Sequence, residues 1–523
     1  MDELAKIGWH IPTTAQSATE RRAVALRRAS PDGSPLADSP IWDLHRGAEV
    51  AFVMRGDGLT RSIPMAEGRH RISELRYLGP TPQRNAILES GVPLPIDGMP
   101  PSEFAQVLLR SAAEIEHALM VQYLYAAYAI SDESGDGIEN YRAKIMRVAI
   151  QEMGHLATVQ NLLVLLGGPT STHLLRDNAR IDTGLTPIPF ELEPVSQTTL
   201  ALYLVAEMPA TIPTQLVQEF APILAEATAA TNGMLQRVGA IYSVLEWLFL
   251  PDSVAKSWID LELLAGYPEN YHVTDADVVP ADVMVAHEAT RDEWEAHESE
   301  FILEAPHDCM SAAAAVAAIS EQGEGWDDAQ DSHFVEFLEL YRDFNDGKLD
   351  SLLRPVAVSP TLWSEGPYRK PSVIEDPYTK LWGQVFSRQY TLLVLSIGHI
   401  IALARNSPDT ESLRQRLASQ TMRLMRRSIG ALCEELANLP IDATQGNNCG
   451  ANFDLRADAV RSASLDDYAD RQVSLLAELE SEYQSIEAHA SFAGNSRHRI
   501  LLSNLRRGDS KRKELFTTNE DEQ

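Results

Sequence analysis

The stretch "IQEMGHLATVQNLLVLLGG", residues 150–168, sets a carboxylate and an imidazole inside an apolar run of helix formers. A core-facing stripe that begins at Ile145 passes in three- and four-residue steps through Val148, Glu152, His155, Val159, Leu162 and Leu166. Glu152 and His155 therefore share the inner seam. A charged carboxylate among apolar side chains is costly unless it is paired or holds a cation, so this placement demands a partner. Taken alone, Glu-x-x-His is a common spacing, and a Glu and His satisfied by buried hydrogen bonds are the ordinary alternative.

A second acid lies on the preceding helix, "LLRSAAEIEHALMVQYLYAAYAI", whose stripe runs Leu109, Ala113, Glu116, Met120, Tyr123 and Ala127. Glu114 and His117 form another i, i+3 pair, but their stripe also holds Arg110 and is expected on the wet face, so Glu116 is preferred. Further on, "AAAAVAAISEQGEGWDDAQDSHFVEFLEL" carries Glu321 and Glu324 at the end of an alanine-rich helix and reopens a helix at Ser332–His333. A polar helix end and a plain N-terminal turn are the ordinary readings of those pieces.

In four-helix carboxylate proteins, two helices each give one Glu and the other two each give a Glu with a nearby His, all pointing inward around two ions. Glu116 fits one single-Glu place, Glu152 with His155 one pair, and Glu324 with His333 the other pair, split by a loop. The remaining acid is expected from "TNGMLQRVGAIYSVLEWLFL", whose sole carboxylate is Glu246, although that residue also suits a solvent-facing position near the helix end. Four carboxylates offset two divalent ions, and this oxygen and nitrogen donor set suits iron, with manganese the alternative. An iron pair with open positions can activate dioxygen or peroxide; without a vacancy it is structural.

The elements that must hold these residues are long helices. Residues 1–100 read as an irregular N-terminal lobe with some β-structure, as in "AEVAFVM", and residues 101–345 as the di-metal bundle. Helices are expected near 101–131, 138–167, 197–208, 213–250, 310–322 and from Ser332. Between them, "HEATRDEWEAHESEFI" reads as a polar helix. After a Pro-rich hinge, residues 370–495 form a C-terminal helical region packed on the bundle, with helices near 376–405, 410–438 and 465–489. Residues 496–523 read as a charged tail, frayed over "RRGDSKRKELFTTNEDEQ" from Arg506 on.

The chain of 523 residues is long enough for a large core, and its 44 Lys+Arg against 75 Asp+Glu give a net charge of −31. That charge opposes nucleic acid and anionic membrane surfaces unless a local basic patch overrides it. Cys309, Cys433 and Cys449 lie far apart with no C-x-x-C spacing, so neither a disulfide framework nor a thiolate zinc site is expected. With no signal-peptide core and no uncharged apolar run of about 18 residues, a cytoplasmic location is expected.

The order of these motifs resembles the ferritin-like domain of the iminophenylpyruvate dimer synthase family, which includes the chromopyrrolate synthases of violacein- and rebeccamycin-type pathways. The resemblance rests on "EIEHALMVQYLYAAYAI", "IQEMGHLATVQNLLVLLGGPT", "LYLVAEMPA", "RVGAIYSVLEWL" and "ISEQGEGWDDAQDSHFVEFLEL", over about residues 104–342. It implies a mainly α fold built on a ferritin-like four-helix bundle, and metal roles for Glu116, Glu152, His155, Glu324 and His333. Glu246 is supported less, because its helix departs most from the family pattern. Tyr123 and Tyr242 match motif positions and are candidate pocket-lining catalytic residues, with plain core aromatics as the alternative. Haem accompanies some members of the family, which makes His399, in "LLVLSIGHIIALA", a candidate axial ligand; a histidine on an apolar helix is more often a satisfied core residue.

The expected function is that of a non-haem di-metal, di-iron oxidoreductase using dioxygen or peroxide on a small molecule in natural-product biosynthesis. Oxidative coupling of amino-acid-derived imines is its most specific form, and a homodimer or a pathway enzyme is the expected protein partner. A ferritin-like iron-oxidising or storage protein and a metal-free scaffold are the alternatives.

Overall fold

The computed structural model describes residues 50–55, 58–64, 92–96, 98–131, 140–176, 185–210, 212–231, 235–251, 254, 267–268, 270–295, 301–325, 332–364, 368–442, 446–456, 460 and 464–517. Of the expected N-terminal lobe, strands β1 (Val50–Arg55) and β2 (Gly58–Pro64) form an antiparallel hairpin with Val50 opposite Pro64; most of the lobe lies outside the described residues.

Two long helices form one half of the bundle. Pro101 opens α1 (Pro101–Tyr128), where its missing N–H and fixed φ suit the first turn. Asn140 caps α2 (Tyr141–Gly167) by accepting from Ala143 N, and the two helices pack along their length.

The other half is assembled from short pieces. Helices α3 (Gln197–Ala206), α4 (Val217–Thr231), α5 (Gly239–Phe249), α6 (Ala281–His287), α7 (Cys309–Glu324) and α8 (His333–Asn345) follow in order. α3 packs on α8 and α5 on α7. α5 takes up where α3 stops, since Val238 N–H donates to the Ala206 carbonyl at 2.8 Å across the break. α8 likewise takes up from α7: Ser332 caps it by accepting from Val335 N, and its hydroxyl donates to the Gly325 carbonyl at 2.5 Å. The third and fourth bundle helices are thus both interrupted.

The single helix expected over 213–250 is therefore two. Before α5 the backbone N–H of Gln236 is taken by the Pro187 carbonyl and that of Val238 by Ala206, so the intrahelical ladder cannot run through. The polar helix expected over 287–302 is not present in its described part, where residues 291–295 form turns. Arg414, fully buried, donates to the carbonyls of Glu288 and Leu403 and to the Glu293 carboxylate, and Arg405 takes the Val285 and Glu288 carbonyls. Carbonyl oxygens around the helix end are committed to guanidinium groups.

C-terminal to the bundle, β3 (Pro360–Thr361) and β4 (Ser372–Val373) make a short parallel pair. Helices α9 (Pro377–Ala402), α10 (Pro408–Arg423), α11 (Gly430–Leu436), α12 (Leu465–Ala488), α13 (Ala490–Ala493) and α14 (Ser496–Thr517) follow. A π-helical turn at Leu424–Ile429 divides what the sequence presented as one helix over 410–438. These helices form a second apolar core against the outer face of α1, in which Val121 and Tyr125 meet the cluster of Trp382, Phe386, Leu432, Leu479 and Leu505. α9 is the one described helix long and apolar enough to cross a membrane, and 83% of its most apolar window is buried inside the protein.

Two expectations change here. The Glu114–His117 face of α1 is buried against this second layer: Glu114 pairs with His173, and His117 bonds the Leu174 carbonyl and Tyr390. The tail expected to be frayed is helix α14, with Leu502 and Leu505 each 1% exposed; only 518–523 lie outside the described residues. Its charges sit on faces that leave an apolar stripe for docking. Leu505→Ala is expected to lower stability by about 2–5 kcal/mol in urea unfolding, the range for emptying a packed leucine site; a loss below about 0.5 kcal/mol would mean that α14 is not part of the core.

Candidate metal centre

The two helix breaks deliver polar side chains to the middle of the bundle, opposite Glu116 on α1 and Glu152 and His155 on α2. Glu152 is 2% exposed and divides its two oxygens between two imidazoles. Oε2 lies 2.9 Å from His155 Nδ1, and Oε1 lies 3.1 Å from His333 Nδ1. Glu116 Oε2 is 3.5 Å from His155 Nδ1, and Glu207 Oε2 is 3.6 Å from His333 Nδ1. Two donor sets result, Glu116–Glu152–His155 and Glu152–Glu207–His333, each with ligand atoms within 4.8 Å of one another. The imidazole rings are 5.4 Å apart.

Beyond these ion-pair contacts, several of the polar atoms make no hydrogen bond within the protein. Glu116 Oε2 and both ring nitrogens of His333 are buried without a hydrogen bond, although buried polar atoms are almost always bonded. A cation is what such atoms lack, and a mixed carboxylate and imidazole set fits iron or manganese. The rest of the site is held in place. Tyr242 donates to Glu116 Oε1, and Tyr123 donates to Glu207 Oε1 at 2.5 Å, leaving the second oxygen of each carboxylate for the centre. Gln322 accepts from His155 Nε2 at 2.9 Å. On the far side of α2, Gly154 leaves room for the Ile302 carbonyl, which would lie 2.2 Å from a Cβ there. Thr158 and Asn161 bind the backbone of Glu304, fixing this helix from outside.

A small cavity of about 10 Å³ adjoins the cluster, lined by Glu116, Glu152, His155, Glu207, Tyr242 and Glu324 with Leu119, Val238 and Ile319. That is room for about one water-sized molecule, which needs on the order of 10–15 Å³. It accommodates ions with a small oxidant more readily than a bicyclic substrate.

The sequence-derived residues are placed unevenly. Glu116, Glu152, His155 and His333 come together. Glu324, expected to pair with His333, lines the cavity but turns to Arg237 NH1, 2.9 and 3.1 Å from its two oxygens, and to Gly239 N–H at 2.7 Å. Gly239 leaves room for this carboxylate, since a Cβ would fall 2.0 Å from it and push the Glu324 side chain aside. Glu246 belongs to neither donor set; the place given to it is taken by Glu207, 3% exposed at the end of α3. Glu207 was missed because the third bundle helix was sought in 213–250. A usable signal was a lone acid in "LYLVAEMPA", between an apolar helix and Pro209. Tyr242 lines the cavity, whereas Tyr123 touches it only through Glu207. His399 bonds Gln472 at 2.8 Å through Nδ1 and stacks on Tyr468, the arrangement of a satisfied core histidine. The three cysteines are buried and unpaired.

Residues 109–342 match the family model described as ferritin-like, so this part of the chain is a ferritin-like domain. The chain is 31% identical over 172 residues to the "2-imino-3-(indol-3-yl)propanoate dimerase" of Chromobacterium violaceum, covering 28% of this chain and 16% of that protein. It is 24% identical over 414 residues to the "Dichlorochromopyrrolate synthase" of Lentzea aerocolonigenes, covering 68% of this chain and 37% of that one. The matches thus span well under half the length of these relatives. No solved structure matches the chain. The curated matches agree with the resemblance read from the motifs.

Electrostatics of the ion-free cluster follow from burial and mutual charge. Burial, with the neighbouring Glu152 charge, raises the Glu116 carboxyl to about 8. Burial also pushes the Glu152 carboxyl up, but the charges and hydrogen bonds of His333 and His155 outweigh it and hold Glu152 well below the usual range. Burial opposes the charged imidazoles, yet bonds to Glu116 and Glu152 raise His155 to about 10, and the Glu152 charge raises His333 to about 9. The stability given by His155 and His333 is complete below 6.5 and is lost as pH rises through their folded values; Glu116, protonated in the fold, acts in the same sense up to about 8. Glu152 gains its stability at lower pH and is constant in this window. The unfolding midpoint of chelator-treated protein is therefore expected to fall from pH 6.5 to about 9, and saturating Mn(II) to flatten that fall because it replaces protons on the imidazoles. A midpoint that rises across this window would contradict the charge arrangement.

Proposed function

We propose that this chain is a di-metal oxidoreductase, with iron as its metal, using dioxygen or peroxide on a small molecule in natural-product biosynthesis. The observation that carries the reading is Glu152, buried and aimed with one oxygen at each of two donor sets that contain buried atoms without a hydrogen bond. The relatives support the biosynthetic part, since one is named as a dimerase of an indolyl imino acid and the other as a dichlorochromopyrrolate synthase. Oxidative coupling of an amino-acid-derived imine is accordingly the most specific reaction proposed, in a reducing cytoplasm, with a second copy or a pathway enzyme as protein partner.

Glu116, Glu152, Glu207, His155 and His333 would hold the ions, and iron bound there would supply the redox chemistry that activates the oxidant. Three carboxylates would leave one positive charge uncompensated on two divalent ions, so the site would suit a substrate that carries a carboxylate. Glu324 does not cancel it, because its charge is already matched by Arg237. Burial holds the Tyr123 and Tyr242 hydroxyls well above their ordinary range, so both stay protonated as donors and keep their carboxylates turned inward. Leu119, Val238 and Ile319 make the cavity wall apolar and limit water around the reacting groups.

The test is metal analysis of protein produced with ample iron, followed by oxygen consumption with indole- or phenylpyruvate-derived imines. About two irons per chain are expected, falling to less than half in Glu152→Ala because both donor sets lose their shared carboxylate. Equal metal content in the two proteins, or none in either, would sink the reading. Iron uptake without imine-dependent oxygen consumption would favour an iron store.

A further inference from the structure

The two donor sets share Glu152 but differ in how their histidines are held. His155 Nδ1 faces the Glu152 and Glu116 carboxylates at 2.9 and 3.5 Å, while Nε2 faces Gln322 Oε1 at 2.9 Å. An amide oxygen can only accept, so Nε2 must carry a hydrogen whatever the charge of the ring. The neutral ring then has its lone pair on Nδ1, the nitrogen that points into the donor set. His333 is different: its Nδ1 likewise faces carboxylates, Glu152 at 3.1 Å and Glu207 at 3.6 Å, but its Nε2 is buried without a hydrogen bond.

We propose that Gln322 is a positioning residue that fixes the tautomer and ring orientation of His155, so that Nδ1 is presented to an ion held with Glu116 and Glu152. This rests on the metal reading above. The consequence is an asymmetric pair. The position at Glu116, Glu152 and His155 is organised before an ion arrives, with Tyr242 turning Glu116 and Gln322 turning His155. The position at Glu152, Glu207 and His333 has Tyr123 on its carboxylate but no partner on the far nitrogen, Nε2, of its imidazole. The first position fills first, and Gln322 acts on that one alone. Its place two residues before the end of α7, next to the break after which α8 begins with His333, ties both histidines to the same interrupted helix.

The test is equilibrium titration of chelator-treated full-length chain with Mn(II), following free ion by electron paramagnetic resonance. Gln322→Met, which keeps side-chain length but removes the acceptor, is expected to weaken one of two binding steps by about 10- to 100-fold, the usual effect of losing a partner behind a ligating histidine. The other step should stay as in the wild type, and the ion-free protein should unfold at a modestly lower midpoint, because the buried His155 Nε2–H loses its acceptor. Gln322→Glu, which restores an acceptor oxygen, should return the tight step, and in a His155→Ala background Gln322→Met should cost nothing further. If Gln322→Met titrates like wild type, or weakens binding equally in the His155→Ala background, the positioning role is wrong. If the Met variant does not fold, Gln322→Ala and Gln322→Glu carry the same comparison. Wild-type protein that binds no Mn(II) or iron overturns the metal reading itself, whereas tight wild-type binding indifferent to Gln322 overturns only this inference.

Discussion

One carboxylate, buried between two imidazoles, is the constraint around which the bundle is arranged. Glu152 cannot sit 2% exposed on an apolar seam unless both of its oxygens are answered, and the answers come from different places in the chain: His155 one turn away, and His333 at the start of the helix that follows the second break. Bringing His333 to that point requires α8 to begin at the level of Glu152. The Ser332 cap and its bond to Gly325 fix that start. Bringing Glu207 beside it requires α3 to end there, and the bond from Val238 to Ala206 closes the gap that this leaves.

The interruptions explain why the cluster is rich in buried polar atoms without a hydrogen bond and also in supporting hydrogen bonds. A continuous helix presents one inward side chain per turn along a fixed stripe. A break presents a side chain at an angle that the stripe does not allow, and it frees backbone N–H groups such as that of Gly239 to bind a carboxylate. Glu324 is held in this way beside Arg237, on the wall of the same cavity. The outer faces of α1 and α2 are clamped by other layers, the C-terminal helices on one and residues 301–304 on the other, so the long pair forms a rigid wall for the assembled side.

The C-terminal layer is more closely joined to the bundle than its hinge-like connection indicates. His117, next in sequence to Glu116, bonds Tyr390 on α9 and the Leu174 carbonyl, and burial lowers its pKa well below the ordinary value, so it stays neutral. The turn of α1 that carries the candidate ligand is therefore packed on both faces. This is a physical reason for a bundle with a large added layer: the layer fixes the azimuth of the helix on which Glu116 sits.

What the sequence determined by itself was whatever depends on local periodicity and capping. Glu116, Glu152 and His155 fall on uninterrupted apolar stripes, and Ser332–His333 carries a cap signal, so their inward placement or helix start was legible before any fold was known. The long helices of the C-terminal layer were legible for the same reason, apart from the π turn and the docking of α14, where charged residues hid a narrow apolar stripe. Tertiary structure alone decided Glu207 over Glu246, the turning of Glu324 to Arg237, and the burial of Glu114 and His117. Each of these depends on where a helix stops or on which layer covers its outer face, and both are set by hydrogen bonds and packing between segments far apart in the chain, which no local pattern encodes.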